Sequence, residues 1–232
     1  GMAAAWALAR AGIPDVTLVE RGPELGGLAG TFERDRHFYP RGYHHILHHD
    51  RTLLYVLDRI GALPRVRWRK IRMFFHLGGR LYDLAHPLDF ARFPMHPMDK
   101  LRFVRLMLRC FAKREWSDWT GRAADELVDR WAGPGVREAI FERLSHLKFR
   151  LPCREVSAAW LGTRLYYREG SAPLGYIPDA NWTKVLCDGL MSKLEESGVR
   201  ILTSTSASAV RVSGGRIAAV DALGLLGDAS VQ

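Results

Sequence analysis

Residues 1–31 constrain the fold more than any other stretch of this chain. Met2 to Ala11 is alanine-rich, with Trp6 and Leu8 among small side chains. Alanine gives up no side-chain entropy in a helix, so the segment reads as a helix packed closely against a neighbour. Gly12 stands where such a helix ends, and Pro14 forbids its continuation. Residues 15–20 (DVTLVE) form a short apolar run that closes on an acid. The middle of that run is uncharged, which suits a parallel strand covered on both faces. Residues 21–30 then supply Gly22, Gly26, Gly27 and Gly30 around Pro23.

A glycine, an Ala-rich helix and an acid-ended strand follow one another as in the second half of a dinucleotide-binding βαβ unit. There, the third glycine of the fingerprint lets the helix pack on the strand. The free N–H groups at the helix start hold a pyrophosphate, and the strand-ending acid accepts from ribose hydroxyls. Gly1 and Glu20 stand at about the separation those two roles need. Glu20-Arg21, followed by Gly26-Gly27-Leu28-Ala29-Gly30-Thr31, resembles the second glycine motif of FAD-dependent oxidoreductases. Paired glycines let a backbone run beside a ligand's phosphates, and Thr31 adds a hydroxyl donor.

On these residues the chain resembles the flavin amine oxidase and protoporphyrinogen oxidase-like superfamily, which includes phytoene desaturase-like enzymes and UDP-galactopyranose mutase. The resemblance implies an α/β fold. A Rossmann-like FAD-binding domain, incomplete here, would carry a mostly helical substrate-domain insert. The expected boundaries are 1–75 and 181–232 for the FAD domain and 76–180 for the insert. FAD is the implied cofactor. Gly1, Glu20, Arg21, Gly26, Gly27, Leu28, Ala29 and Thr31 are its implied contacts. Phe38 to His44 resembles the segment that passes the flavin ring, which adds Gly42, Tyr43 and His44. Val199 to Val220 resembles the strand and hairpin whose backbone meets the adenine, with Ala207 at the contact position. Residues 174–178 (LGYIP) resemble the loop that returns the chain to the FAD domain. In these relatives a strand and two more glycines precede the position of Gly1, and a flavin motif follows that of Gln232. The chain is therefore expected to be a piece cut at both ends that by itself binds FAD poorly or not at all.

The resemblance implies a hydride acceptor for an unidentified small-molecule substrate, with no catalytic base singled out. A redox-neutral, mutase-like reaction on a nucleotide sugar is the alternative, since a diphosphate suits 28 Arg and 6 Lys. A degenerate, non-catalytic nucleotide-binding domain is the third reading. The net charge of +9 is spread from Arg10 to Arg216 rather than gathered in one block, which argues against a nucleic-acid partner. Cys110, Cys153 and Cys187 form no CxxC pair, so no zinc site or disulfide framework is expected and a reducing, cytoplasmic setting fits.

Further along, a helix is expected over 52–60, a strand over 67–76, and a hairpin turned by Gly78-Gly79. Helices are expected over 99–114, 122–132, 134–148 and 182–197. A hairpin is expected around Ser213-Gly214-Gly215. In the 99–114 helix Leu101, Val104, Leu108 and Phe111 share a stripe beside Lys and Arg residues. Packing on its own domain is the first reading of that stripe; peripheral membrane contact through 99–114 is the second. In the run His44-His45-Ile46-Leu47-His48-His49, a helix would pair His44 with His48 and His45 with His49, a zinc-compatible spacing. No acid or cysteine is ordered around it, so no metal is expected.

Overall fold

A computed structural model describes residues 1–42, 44–167 and 172–224. In chain order come α1 (Met2–Arg10), β1 (Thr17–Val19), β2 (Thr31–Arg34), β3 (His37–Pro40), β4 (Ile46–Leu47), α2 (Arg51–Arg59) and β5 (Arg67–Lys70). Then follow β6 (Phe75–Leu77), β7 (Arg80–Tyr82), α3 (Pro87–Arg92), α4 (Pro97–Ala112), α5 (Ala124–Trp131), α6 (Pro134–Val136), α7 (Glu142–Phe149) and α8 (Ala158–Tyr166). The chain closes through β8 (Pro173–Tyr176), α9 (Trp182–Glu196), β9 (Arg200–Leu202), β10 (Thr205–Ser213) and β11 (Arg216–Gly224). It divides into two compact units, one made of 1–69 with 174 onward and the other of 70–173. The divisions expected from the sequence lie at 75/76 and 180/181.

In the first unit β1 pairs in parallel with β9, Thr17 opposite Arg200 and Val19 opposite Leu202. Two parallel neighbours need a crossover, and α9 runs into β9 to supply it. Ala5 and Trp6 of α1 are buried with Leu190, Leu194 and Val199, so α1 and α9 share one apolar layer. Leu18 is only half-buried in that layer, not covered on both faces as its sequence suggests. A second core holds Ile46, Leu57, Ala62, Val66 and Ile177. Beside it β8 lies between β4 and β5. Residues 174–178, which read in sequence as a connecting loop, thus begin in the central strand of a small sheet. Gly175 belongs there because a Cβ would meet Ile46 Cβ at 2.8 Å.

Two more expectations change. The histidine run is extended, not helical, because Ile46 and Leu47 are the fully buried strand β4 facing Gly175 and Leu174. His44 and His48 therefore share no helical face. Among the described residues no group of three or more His, Cys, Asp or Glu is placed to hold a metal ion. The 67–76 segment is two strands that join different sheets, β5 beside β8 and β6 beside β7.

The second unit is helical apart from the β6–β7 hairpin, which turns at Gly78-Gly79 as expected. Its core gathers Phe93, Leu106, Cys110, Trp116, Trp119, Leu127, Val128, Val136 and Ile140. Between α6 and α7 the helix widens into a π turn over Arg137–Phe141. The stripe on α4 is a further correction. Leu106 and Cys110 are buried and Phe103 packs beside them, while Leu101 and Leu108 stay 66% and 62% exposed. α4 is apolar over a wide arc, so periodicity offers two stripes, and contact with α5 and α8 selects the one through 106 and 110. Among the described residues no helix is long and apolar enough to cross a membrane.

Candidate functional site

The site begins where α1 crosses β1. Gly1 precedes the helix, and its carbonyl accepts from Ala5 N at 3.0 Å. A Cβ on Gly1 would stand 3.2 Å from Leu18 Cδ1, so helix and strand meet closely there. One residue past β1, Glu20 donates its N–H to Leu202 O at 2.8 Å, and its carbonyl accepts from Thr205 N at 2.9 Å. β9 and β10 therefore pin its backbone. Its carboxylate Oε1 accepts from Gly22 N at 2.7 Å. Oε2 has no partner among the described residues.

The glycine run folds into a tight turn. Gly26 has φ +122° and Gly27 φ +54°, and 27–29 make one turn of 3₁₀ helix. A Cβ on Gly26 would meet Gly30 Cα at 2.9 Å and Cys187 Sγ at 3.2 Å. No L side chain fits that combination of backbone angle and space. Cys187, on α9, also donates its thiol to Ala29 O at 3.6 Å, and burial pushes that thiol's pKa up. The turn is thus seated on a helix far away in sequence. Arg41 holds its other side, donating N–H to Gly30 O at 2.9 Å and pairing with Glu24 at 3.3 Å.

The predicted flavin-side residues meet the turn. His44 Nε2 lies 2.7 Å from Leu28 O, and a Cβ on Gly42 would reach His44 Nε2 at 3.0 Å. Thr31 starts β2, opposite Pro40 of β3. A cleft of about 730 Å³ opens here, lined by Leu25, Gly30, Thr31, Phe38, Arg41, Lys184 and Cys187 among others. Leu28 projects from the turn 81% exposed. Arg21 is exposed next to Glu20 and makes no side-chain hydrogen bond or ion pair among the described residues. Ala207 lies exposed on β10 across from Ala222, at a bulge. Tyr43 lies outside the described residues. Sequence reasoning missed Arg41, Lys184 and Cys187. Arg41 sits inside the quoted 38–44 segment and was within reach. The two α9 residues send no local signal.

The profile of the family described as flavin containing amine oxidoreductase matches residues 1–152. The chain belongs to this family. As a member of the flavin containing amine oxidoreductases, it has FAD as its cofactor. Solved structures share the fold. An oxidoreductase from Methanosarcina mazei is 18% identical, with a TM-score of 0.66 over 95% of this chain and 53% of that one. A putrescine oxidase redesigned in its cofactor binding is 16% identical, with a TM-score of 0.67 over 95% and 52%. Reduced UDP-galactopyranose mutase is 18% identical, with a TM-score of 0.60 over 90% and 47%. The chain spans about half the length of each. No curated protein sequence matches it.

The residues present fit a dinucleotide. Gly1 lets α1 start against β1, and Glu20 keeps one carboxylate oxygen unengaged.

Proposed function

We propose that this chain is part of an FAD-dependent oxidoreductase that takes a hydride from a small organic substrate. The observation that carries the proposal is the Gly26–Gly30 turn seated on Cys187, close in the chain to the unengaged Oε2 of Glu20. Bound FAD would supply the redox chemistry. Glu20 would accept from a ribose hydroxyl. The first N–H groups of α1, behind Gly1, would face the pyrophosphate with the positive end of the helix dipole. Gly26, Gly27, Leu28 and Ala29 would let the backbone approach the cofactor closely, and Thr31 would donate its hydroxyl. Arg21 would bring positive charge beside the phosphates. Gly42, Tyr43 and His44 would border the flavin, with His44 held by Leu28 O. Ala207 would meet the adenine from β10. No side chain is assigned as the catalytic base.

The purified full-length protein tests this directly. An absorption band at about 450 nm marks bound oxidised flavin. A colourless protein with no FAD affinity would instead support a degenerate, non-catalytic domain. Under anaerobic conditions, substrate alone should bleach the band. The fold shared with reduced UDP-galactopyranose mutase favours one second reading, a redox-neutral reaction on a nucleotide sugar. That reaction would need prior reduction and leave the oxidised band untouched by substrate.

Two settings belong to the same proposal. Three free cysteines fit a reducing, cytoplasmic location. The exposed Leu101, Val104 and Leu108 of α4, with Arg102, Arg105 and Arg109 around them, would let the protein touch a membrane surface peripherally. Flotation with anionic liposomes, lost in Leu101→Glu/Leu108→Glu, is the expected result.

A further inference from the structure

The second unit carries a concentration of positive charge that its fold does not balance. A cleft of about 430 Å³ lies against the end of α4, the 113–122 segment and α5. That volume is in the range of small-molecule sites. Tryptophan rings form its walls and cations stand over them. The guanidinium carbons of Arg109, Arg130 and Arg105 lie 4.7, 5.4 and 5.5 Å from the centre of Trp131. Arg122 and Arg130 lie 4.2 and 6.0 Å from Trp119, and Lys113 lies 5.5 Å from Trp116.

Two of these cations have carboxylate partners. Lys113 pairs with Asp118 at 3.0 Å and Arg122 with Glu126 at 2.9 Å. Arg105, Arg109 and Arg130 have none among the described residues. Arg41, Arg65, Arg72, Arg137 and Arg211 each reach one. Three guanidiniums round one ring stand within about 11 Å of one another, so with a Debye length of about 8 Å at physiological salt their mutual repulsion is only partly screened. The ring faces attract each cation but leave the excess charge uncancelled.

We propose that this cleft binds a phosphate-bearing ligand whose anion is held by Arg109 and Arg130. A phosphate monoester brings about two negative charges at neutral pH and three acceptor oxygens, which the planar guanidinium forks match in pairs. A carboxylate brings one charge and would leave most of the excess standing. A nucleic acid needs cations strung along a path, whereas these converge on one spot. The site shares no residue with the glycine turn and does not rest on the flavin reading.

The test is titration of the whole chain with inorganic pyrophosphate, followed by calorimetry and tryptophan fluorescence. The expected result is one saturable site whose affinity falls at least tenfold in Arg109→Gln/Arg130→Gln and is unchanged in Arg211→Gln. Arg109 and Arg130 are exposed, and matching circular dichroism spectra would confirm that the double variant is folded. The single variant Arg130→Gln should show an intermediate loss. Vesicles containing phosphatidic acid separate the two sources of phosphate. Sedimentation with them that pyrophosphate displaces assigns a lipid headgroup; pyrophosphate binding without sedimentation assigns a soluble ligand. An isotherm with no saturation, or one unchanged in Arg109→Gln/Arg130→Gln, would overturn the proposal. In the second case the anion binds elsewhere, the glycine turn included.

Discussion

Replacing Gly162 with alanine sets two opposite effects against each other, and the structure decides the sign. Gly162 is buried inside α8, where alanine would ordinarily stabilise the helix by about 1 kcal/mol. Its Cβ, however, would stand 2.3, 2.4 and 2.6 Å from three ring carbons of Trp116. Carbon atoms rest at about 3.5 Å or more, so indole or helix must shift by about 1 Å. Trp116 is 4% exposed in the core of its unit and has little room to move. Overpacking of this kind costs about 1–3 kcal/mol, and the overlap here belongs at the upper end. The net expectation is a destabilisation of about 2 kcal/mol. In urea, with a slope of about 2 kcal/mol per molar, the unfolding midpoint read by circular dichroism should fall by about 1 M. Trp116→Leu should recover part of the loss when combined with Gly162→Ala, a coupling of about 1 kcal/mol or more. A midpoint for Gly162→Ala at or above that of the wild type would refute the argument, because helix propensity would then outweigh the contact.

In the full-length protein, Gly26→Ala should weaken FAD binding about 10- to 100-fold through backbone strain and the clash with Gly30, as measured by flavin fluorescence quenching. Gly12→Ala, also at positive φ but with open space around it, should leave binding unchanged, and equal loss in both variants would contradict the assignment. Burial alone would raise the Asp83 pKa, but Arg72 and the Ala85 N–H more than offset it and hold the carboxyl below the usual 3.8. A lowered folded value means stability present above pH 3.8 and lost as the pH falls below it. Asp83→Asn should therefore cost about 1–2 kcal/mol at pH 7, with the gap to the wild type closing in acid; a gap that is constant from pH 7 to 3 would count against the pair. Burial pushes the thiols of Cys110 and Cys153 up to about 12 and 11, so both should resist iodoacetamide at pH 8 in the native protein and react in urea. Peptide mass mapping that finds native Cys110 alkylated at the rate of a free thiol would sink this.

The nucleotide-binding half-unit is legible in the amino acids alone because its signals are local. Gly12 and Pro14 stop α1, the uncharged run makes β1, and Glu20 ends it, all within one supersecondary unit. The same holds for Gly78-Gly79 turning β6 into β7. The glycine turn is visible as composition, but its shape is not, since Gly26 is fitted to Cys187 on a helix at the far end of the chain. On α4 the amino acids allow two apolar faces, and the neighbouring helices choose Leu106 and Cys110 over Leu101 and Leu108. The histidine run has helical spacing, yet burial of Ile46 and Leu47 in a strand draws it out straight. Helix stops, strand ends and turn glycines act through backbone geometry within a few residues, so they can be read along the chain. Which face is buried, which thiol seats a turn and which arginines converge on Trp131 depend on surfaces brought together only by folding, where packing selects among patterns that the sequence leaves equivalent.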